Sequence, residues 1–453
     1  MRMKTLAVGA IALGCLAVQP GCGLYYYGAA PRRCVADPRR SPLGQAVDYL
    51  EATQVREAVR PFPGGGDWPG NWPQHICLLG CLRVREVSPF IPAFIHASLG
   101  SVEEAALRRH GGLEPQDAQR VRAMRARVAA FLRRFCAPAG GAPDGSVAFW
   151  PDASEQRART RRLLSILRGD WLARPVFLLL LRGPALRGSF AALNVPQMAR
   201  RLNTVPDADD TAVVWAALRD QARADGAPVP SPPLDLFAAW RDLGRGPLRF
   251  PAEWLERPSG IFLTFFGGAT NDVDLVVNAN VLYLLARCGR LDLPGAAEAV
   301  ATLNRHAGRL VTEGRGDPAA PYYPRGFAAH YCVARALAQG PLPALRPAAE
   351  HLAADVERAA RLAPDGTARW DRGAPDLDTA LAVLTLLHCG RSPELARAGA
   401  RHLLGVQDRA TGAWEAGDFF AVRCDTGFLV RWRSPALTTA LAAEAIIRSG
   451  ICP

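Results

Sequence analysis

One unit recurs along this chain: an amphipathic helix, a glycine-containing turn with an aromatic residue, then a helix apolar on nearly every side. The turns read Gly66-Asp67-Trp68, Asp144-Gly145 through Phe149-Trp150, Gly260 through Phe265-Phe266, Asp365-Gly366 through Trp370, and Gly412-Ala413-Trp414. The apolar helices begin near Ser88, Asp207, Asn271, Pro324, Asp376 and Ser434. A helix that is apolar all round is buried on every side. The helices before them, such as residues 294–312 and 345–362, are charged on one face and belong outside. No single pair can bury its own apolar surface, so the units must close on one another. The pattern predicts an all-α fold, an α/α toroid of about six inner and about six outer helices. Inner helices are expected at 207–221, 271–287, 325–339, 376–389 and 435–449, with the turn aromatics wedged between outer and inner layers. The toroid takes up residues 43–453, with insertions near 151–200 and 222–258.

Residues 1–22 read as an export signal and 23–42 as a linker. Arg2 and Lys4 form a positive start, and Thr5 to Val18 is apolar but short for a membrane span. Cleavage is expected after Gly14 or Gly21. Either cut would leave a cysteine, Cys15 or Cys22, at the new start. A lipid-attachment signal usually carries a leucine-like residue three before that cysteine; Ala12 and Gln19 stand there instead, and lipid anchoring stays open. The expected location is the periplasm or cell envelope.

The net charge of +12 is carried almost wholly by arginine. Lys4 is the only lysine, so Schiff-base chemistry and a phosphate-loop lysine are excluded beyond the leader. Pairs such as Arg133-Arg134, Arg161-Arg162 and Arg200-Arg201 are scattered through helices and form no basic stripe. No nucleic-acid partner is expected, whereas an anionic membrane surface is compatible with the charge. The cysteines show no disulfide framework, and His75, Cys77 and Cys81 lack a second ligand pair. Neither a metal nor a cofactor is expected. The sequence does not indicate an oligomeric state.

Asp207, Asp209 and Asp210 crowd one helix start. Any one of them has a plain explanation as an N-cap, accepting from orphan backbone N–H groups. Capping alone does not need three acids. The helix dipole favours anions there, yet three close carboxylates cannot all ionise cheaply, and a buried one keeps its proton. A Brønsted acid facing an apolar chamber suits protonation of an alkene or epoxide, provided aromatic faces stabilise the cation. Asp272 with Asp274, and Asp376 with Asp378, would face the same mouth, because all inner helices run one way. Arg325, Trp215, Tyr322 and Tyr323 are expected near it, with His330 on an inner helix. A ring of carboxylates with one arginine suits sugars equally, and exported toroids of that kind would be glycan hydrolases or lyases. A third class is a non-catalytic toroid that binds a partner or lipid at its mouth.

Asp207-Ala208-Asp209-Asp210-Thr211-Ala212 resembles the DxDD motif of class II terpene cyclases, the squalene–hopene cyclase group. The resemblance implies that Asp209 is the general acid, with Asp207 and Asp210 supporting it. Arg397-Ala398, His402-Leu403, Gln407, Gly412 and Trp414 are similar to the QW repeat of that family, departing at His402, where an aromatic or leucine is usual. The looser turns resemble worn copies, so the resemblance runs from about Leu43 to the C-terminus. Related toroids form protein prenyltransferases, and His330-Tyr331-Cys332 is faintly similar to their histidine segment, without their Asp-x-Cys. The implied reaction is an isomerase-type cyclisation of a polyprenyl lipid without a cofactor. The candidate catalytic residues are Asp209, Asp207 and Asp210. The candidate substrate-binding residues are Trp215, Asp272, Asp274, Tyr322, Tyr323, Arg325, His330, Asp376 and Asp378.

Overall fold

The computed structural model describes residues 35–57, 59–62, 65–72, 74–78, 82–136, 143–149, 205–250, 252–267, 270–311, 318–423 and 429–451. The stretch read as an export leader, 1–22, most of that read as a linker, 23–42, and that read as an insertion, 151–200, lie outside the described residues.

Among the described residues, twelve α-helices alternate between two layers. The inner ones are α2 (Phe90–Leu107), α4 (Ala208–Ala224), α6 (Leu275–Cys288), α8 (Ala328–Ala338), α10 (Pro375–Cys389) and α12 (Pro435–Ser449). Each packs on the next, and α12 packs back on α2, so the ring closes. The outer ones are α1 (Pro42–Thr53), α3 (Pro115–Arg133), α5 (Leu234–Ala239), α7 (Ala296–His306), α9 (Arg346–Ala359) and α11 (Pro393–Val406). The fold is an α/α toroid. Its inner helices are buried almost all round, as their composition demands. The helix starts are built from familiar parts: Ser434 accepts from Leu437 N, and prolines open α10, α11 and α12. The stretch read as an insertion at 222–258 holds the shrunken outer helix α5, with Phe237 packed on Phe262 and Phe266 at 6.3 and 5.5 Å.

Three buried tryptophans repeat one contact. Trp72, Trp370 and Trp414 donate their indole N–H to the carbonyls of Leu50, Val356 and Leu403, at 2.8, 2.7 and 2.8 Å. Each acceptor lies three residues before the end of its outer helix, in the last turn, and that of Leu50 also accepts from Gln54 N. Gln407 ties the last unit to the first, donating to Gly412 O and to Pro42 O at 2.9 and 2.8 Å. Gln54 does the same for its unit, donating to Gly70 O and Met124 O. The first turn of the repeat is therefore Gly70-Asn71-Trp72, not Gly66-Asp67-Trp68. Trp68 instead packs beside Phe131 and Phe135 under Arg134.

A small antiparallel sheet lies at the end where the inner helices begin. Its strands are β1 (Gln74–Leu78), β2 (Leu82–Glu86), β3 (Asp418–Arg423) and β4 (Leu429–Arg433), in the order β2-β1-β4-β3. β2 runs into α2 and β4 runs into α12, which fixes the sheet over the mouth. Its free edge is tied across the ring, where Ala421 N donates to Tyr322 O at 3.0 Å. Among the described residues, no helix is long and apolar enough to cross a membrane.

Candidate active site

The start of α4 is pinned from both sides. Asp207 N donates to Val147 O at 3.1 Å, and Ala208 N donates to Thr264 O at 2.8 Å. Asp207 is the N-cap, accepting from Asp210 N at 2.7 Å. Burial, with Asp209 close by, holds Asp207 well above an ordinary aspartate.

Asp209 turns into the ring. Its Oδ1 accepts from Asn280 Nδ2 on α6 at 2.8 Å, and its Oδ2 accepts from the Tyr323 hydroxyl in the loop before α8. Burial raises it to about 6, although both hydrogen bonds and the more distant Arg335 pull the other way. Among the described residues no cation pairs with it directly. A guanidinium stands one amide further on, where Arg335 donates to Asn280 Oδ1 at 2.8 Å. Arg335 is fully buried, with its guanidinium 4.4 Å from the centres of both the Phe94 and Tyr283 rings and 5.6 Å from that of Tyr331. A guanidinium directly on Asp209 would strip its proton; Asn280 stands between them as a neutral spacer.

Aromatic rings cover this group. Tyr323 lies 6.4 Å from Phe90 and 6.3 Å from Phe419. Phe94 and Phe419 meet at 4.9 Å, Phe90 and Phe420 at 5.1 Å, and Phe420 stacks on Trp432 at 4.6 Å. Strand β3 thus drops Phe419 and Phe420 onto the first turns of α2, above the acid. Sequence reasoning missed Asn280, Arg335, Phe90, Phe94, Phe419 and Phe420. One signal was available for Asn280. Asparagine inside a helix that is otherwise apolar must find a buried partner.

The remaining expected residues divide by what they touch. Asp272 accepts from the Tyr322 hydroxyl at 2.6 Å, with Arg249 at 3.8 Å, and burial raises it. Asp274 caps α6 through Val276 N and Val277 N and also accepts from Tyr322 N; burial raises it to about 7. These two acids hold the loop that presents Tyr323. Asp376 accepts from Glu415 N, and Asp378 accepts from Arg372 N and Ala374 N, which orders the turn before α10. Burial lifts Asp378 to about 6. Arg325 is half-buried and makes no hydrogen bond or ion pair among the described residues. Trp215 donates to Gly145 O at 2.7 Å behind α4. His330 faces outward, bonded to Asp355 of α9 at 2.9 Å, and burial lowers its pKa. The structure therefore gathers Asp207, Asp209, Asp210, Asp272, Asp274, Tyr322 and Tyr323, while Trp215 and His330 tie the layers together. The described residues contain no cluster of three or more His, Cys, Asp or Glu that could hold a metal ion.

No family model and no curated protein matches this chain. Among solved structures, it is similar to type II terpene cyclase MstE from Scytonema. The apo form aligns with a TM-score of 0.48 at 14% identity, over 90% of this chain and 97% of that one. A variant in complex with geranylgeranyl dihydroxybenzoate as substrate gives 0.48 and 14%, over 90% and 96%. A variant in complex with merosterolic acid A as product gives 0.47 and 14%, again over 90% and 96%. These values are too low to carry a residue or an activity across.

Proposed function

We propose that this chain is a class II terpene cyclase-like enzyme in which Asp209 supplies the proton that starts cyclisation of a polyprenyl lipid. The observation that carries the reading is one buried acid inside a toroid, with neutral partners on both oxygens and aromatic rings above it. At about 6, Asp209 remains partly protonated near neutral pH. The proton adds to the CH carbon of the terminal (CH3)2C=CH unit, the π pair forming that C–H bond and leaving the dimethyl carbon a tertiary cation. With a terminal epoxide it goes to the oxygen instead, as the C–O bond to the dimethyl carbon opens. The faces of Phe90, Phe419 and Tyr323 attract such a cation by about 0.5–2 kcal/mol each. The carboxylate left behind is held by the Asn280 N–H and the Tyr323 O–H. Asp207 and Asp210 fix the helix start, and Asp272 and Asp274 fix the Tyr322-Tyr323 loop. Arg325, unpaired among the described residues, would meet the polar end of the substrate at the mouth. The export leader read from the sequence puts this chemistry at the cell envelope, on a lipid of the membrane surface.

The test is turnover. Purified protein is incubated with farnesyl and geranylgeranyl alcohols and their terminal epoxides, and products are read by gas chromatography and mass spectrometry. Wild type should give cyclic isomers and Asp209→Asn none. No product from any of these substrates with the wild type would sink the reading.

Arg335 favours a second reading. It occupies the box of Phe94, Tyr283 and Tyr331 where a carbocation deep in the ring would sit. In a non-catalytic toroid, Asp209, Asn280 and Arg335 would form a buried charge relay, and a ligand would bind at the mouth without reacting. A glycan-active enzyme needs a second carboxylate across a cleft. Asp272, Asp274 and Asp378 are instead occupied by Tyr322 and backbone amides.

A further inference from the structure

We infer that Tyr323 is the group that hands the proton to the substrate, with Asp209 as the reservoir behind it; this rests on the cyclase reading above. The argument starts at Arg335. Its guanidinium is fixed among three rings and donates to Asn280 Oδ1 at 2.8 Å. Arginine has only donors, so Asn280 must keep its oxygen on that side. Its amide N–H is thereby forced onto Asp209 Oδ1, at 2.8 Å. A flipped amide would set N–H against N–H at Arg335. Asp209 Oδ1 therefore always faces a donor, and the proton of the neutral acid sits on Oδ2.

The partner of Oδ2 is the Tyr323 hydroxyl. A hydroxyl can donate and accept at once. When Asp209 is neutral, Tyr323 accepts its proton, and the phenolic hydrogen is released from Asp209. The Tyr323 ring lies against Phe90 and Phe419, on the covered side of the site. In the transfer, the Tyr323 O–H bond breaks as a C–H bond forms at the CH carbon of the terminal alkene. The π pair makes that C–H bond, and the neighbouring dimethyl carbon becomes a tertiary cation. In the same step the Asp209 Oδ2–H bond breaks and its proton moves to the Tyr323 oxygen. The products are a neutral tyrosine and an Asp209 carboxylate accepting from Asn280 and Tyr323, which is the arrangement seen. No tyrosinate forms.

Tyr323→Phe keeps the ring and removes the relay. With a geranylgeranyl substrate that the wild type cyclises, kcat should fall about 100-fold or more, the scale of general acid catalysis, with KM little changed. The wild-type rate in mixed light and heavy water should vary with a curved proton inventory, because two protons move together. If Tyr323→Phe fails to fold, fluorotyrosine at position 323 keeps ring and hydroxyl, and kcat should track the acidity of the phenol. Tyr323→Phe within about threefold of wild type, a linear inventory, or indifference to fluorination would overturn the relay. The two claims fail separately. An inactive Asp209→Asn beside an active Tyr323→Phe removes the relay and leaves the cyclase, whereas an active Asp209→Asn removes both.

Discussion

Asp209→Asn should change the pH dependence of stability in a defined direction. Burial raises Asp209 from 3.8 to about 6 in the folded chain. Between those values the folded state holds a proton that the unfolded state has released. Stability from this group is therefore complete below 3.8 and is lost as pH rises through about 6. The gap corresponds to roughly 3 kcal/mol, an order-of-magnitude figure for a buried group. Asparagine carries no such penalty. Its oxygen still accepts from Asn280 and its amide N–H donates to the Tyr323 hydroxyl, as the neutral acid does, so the substitution removes the ionisation and keeps both contacts. Urea unfolding of both proteins, followed by circular dichroism from about pH 4 to about pH 8, isolates the ionisation. The variant should gain about 2–3 kcal/mol relative to wild type across that range. Parallel curves would mean that Asp209 is an ordinary ionised aspartate in the folded protein, and the acid reading would lose its physical basis.

Other consequences of the toroid can be checked by the same unfolding assay. Val277→Asp or Leu384→Asp, each placing a charge among fully buried inner-helix side chains, should cost about 3–5 kcal/mol; a soluble variant with wild-type stability would refute the inner-layer assignment. Gly412 has φ +80, and a Cβ there would lie 2.3 Å from Gln45 O, so Gly412→Ala should cost at least about 2 kcal/mol. Gly226→Ala, at φ +64 in open space, should cost only about 1 kcal/mol, and equal losses at the two glycines would argue against close packing at Gly412. Trp414→Phe leaves the Leu403 carbonyl without its indole partner and should cost about 1–3 kcal/mol; an unchanged melting profile would mean that the contact does not stabilise the repeat.

The ring was legible because its inner helices are apolar on every side, and Leu275–Cys288 and Pro435–Ser449 form where that pattern puts them. The first QW-like unit was hidden because residues 59–67, mostly two short strands, separate Gln54 from Gly70 and Trp72. In the last unit Gln407 and Gly412 are neighbours along the chain, and the same contact could be read directly. Acidic helix starts look alike in sequence. Asp274 and Asp378 spend their carboxylates on backbone amides, whereas Asp209 spends its own on side chains from two other inner-helix units. That difference arises only when the ring closes. Asn280 is 71 residues from Asp209, and no local pattern joins them. Phe419 and Phe420 escaped notice for a similar reason, because they ride on a strand where the repeat led one to expect only a turn between helices.

The most direct measurement of the central claim is the fate of one proton. The protein is equilibrated in deuterium oxide and given a geranylgeranyl substrate with an intact terminal alkene. The cyclic product is then examined by mass spectrometry and carbon-13 NMR. The account predicts one deuterium per product molecule, carried by the carbon that was the CH of the terminal alkene, and no product with Asp209→Asn. A cyclic product without deuterium at that carbon, or the same labelled product from Asp209→Asn, would contradict it.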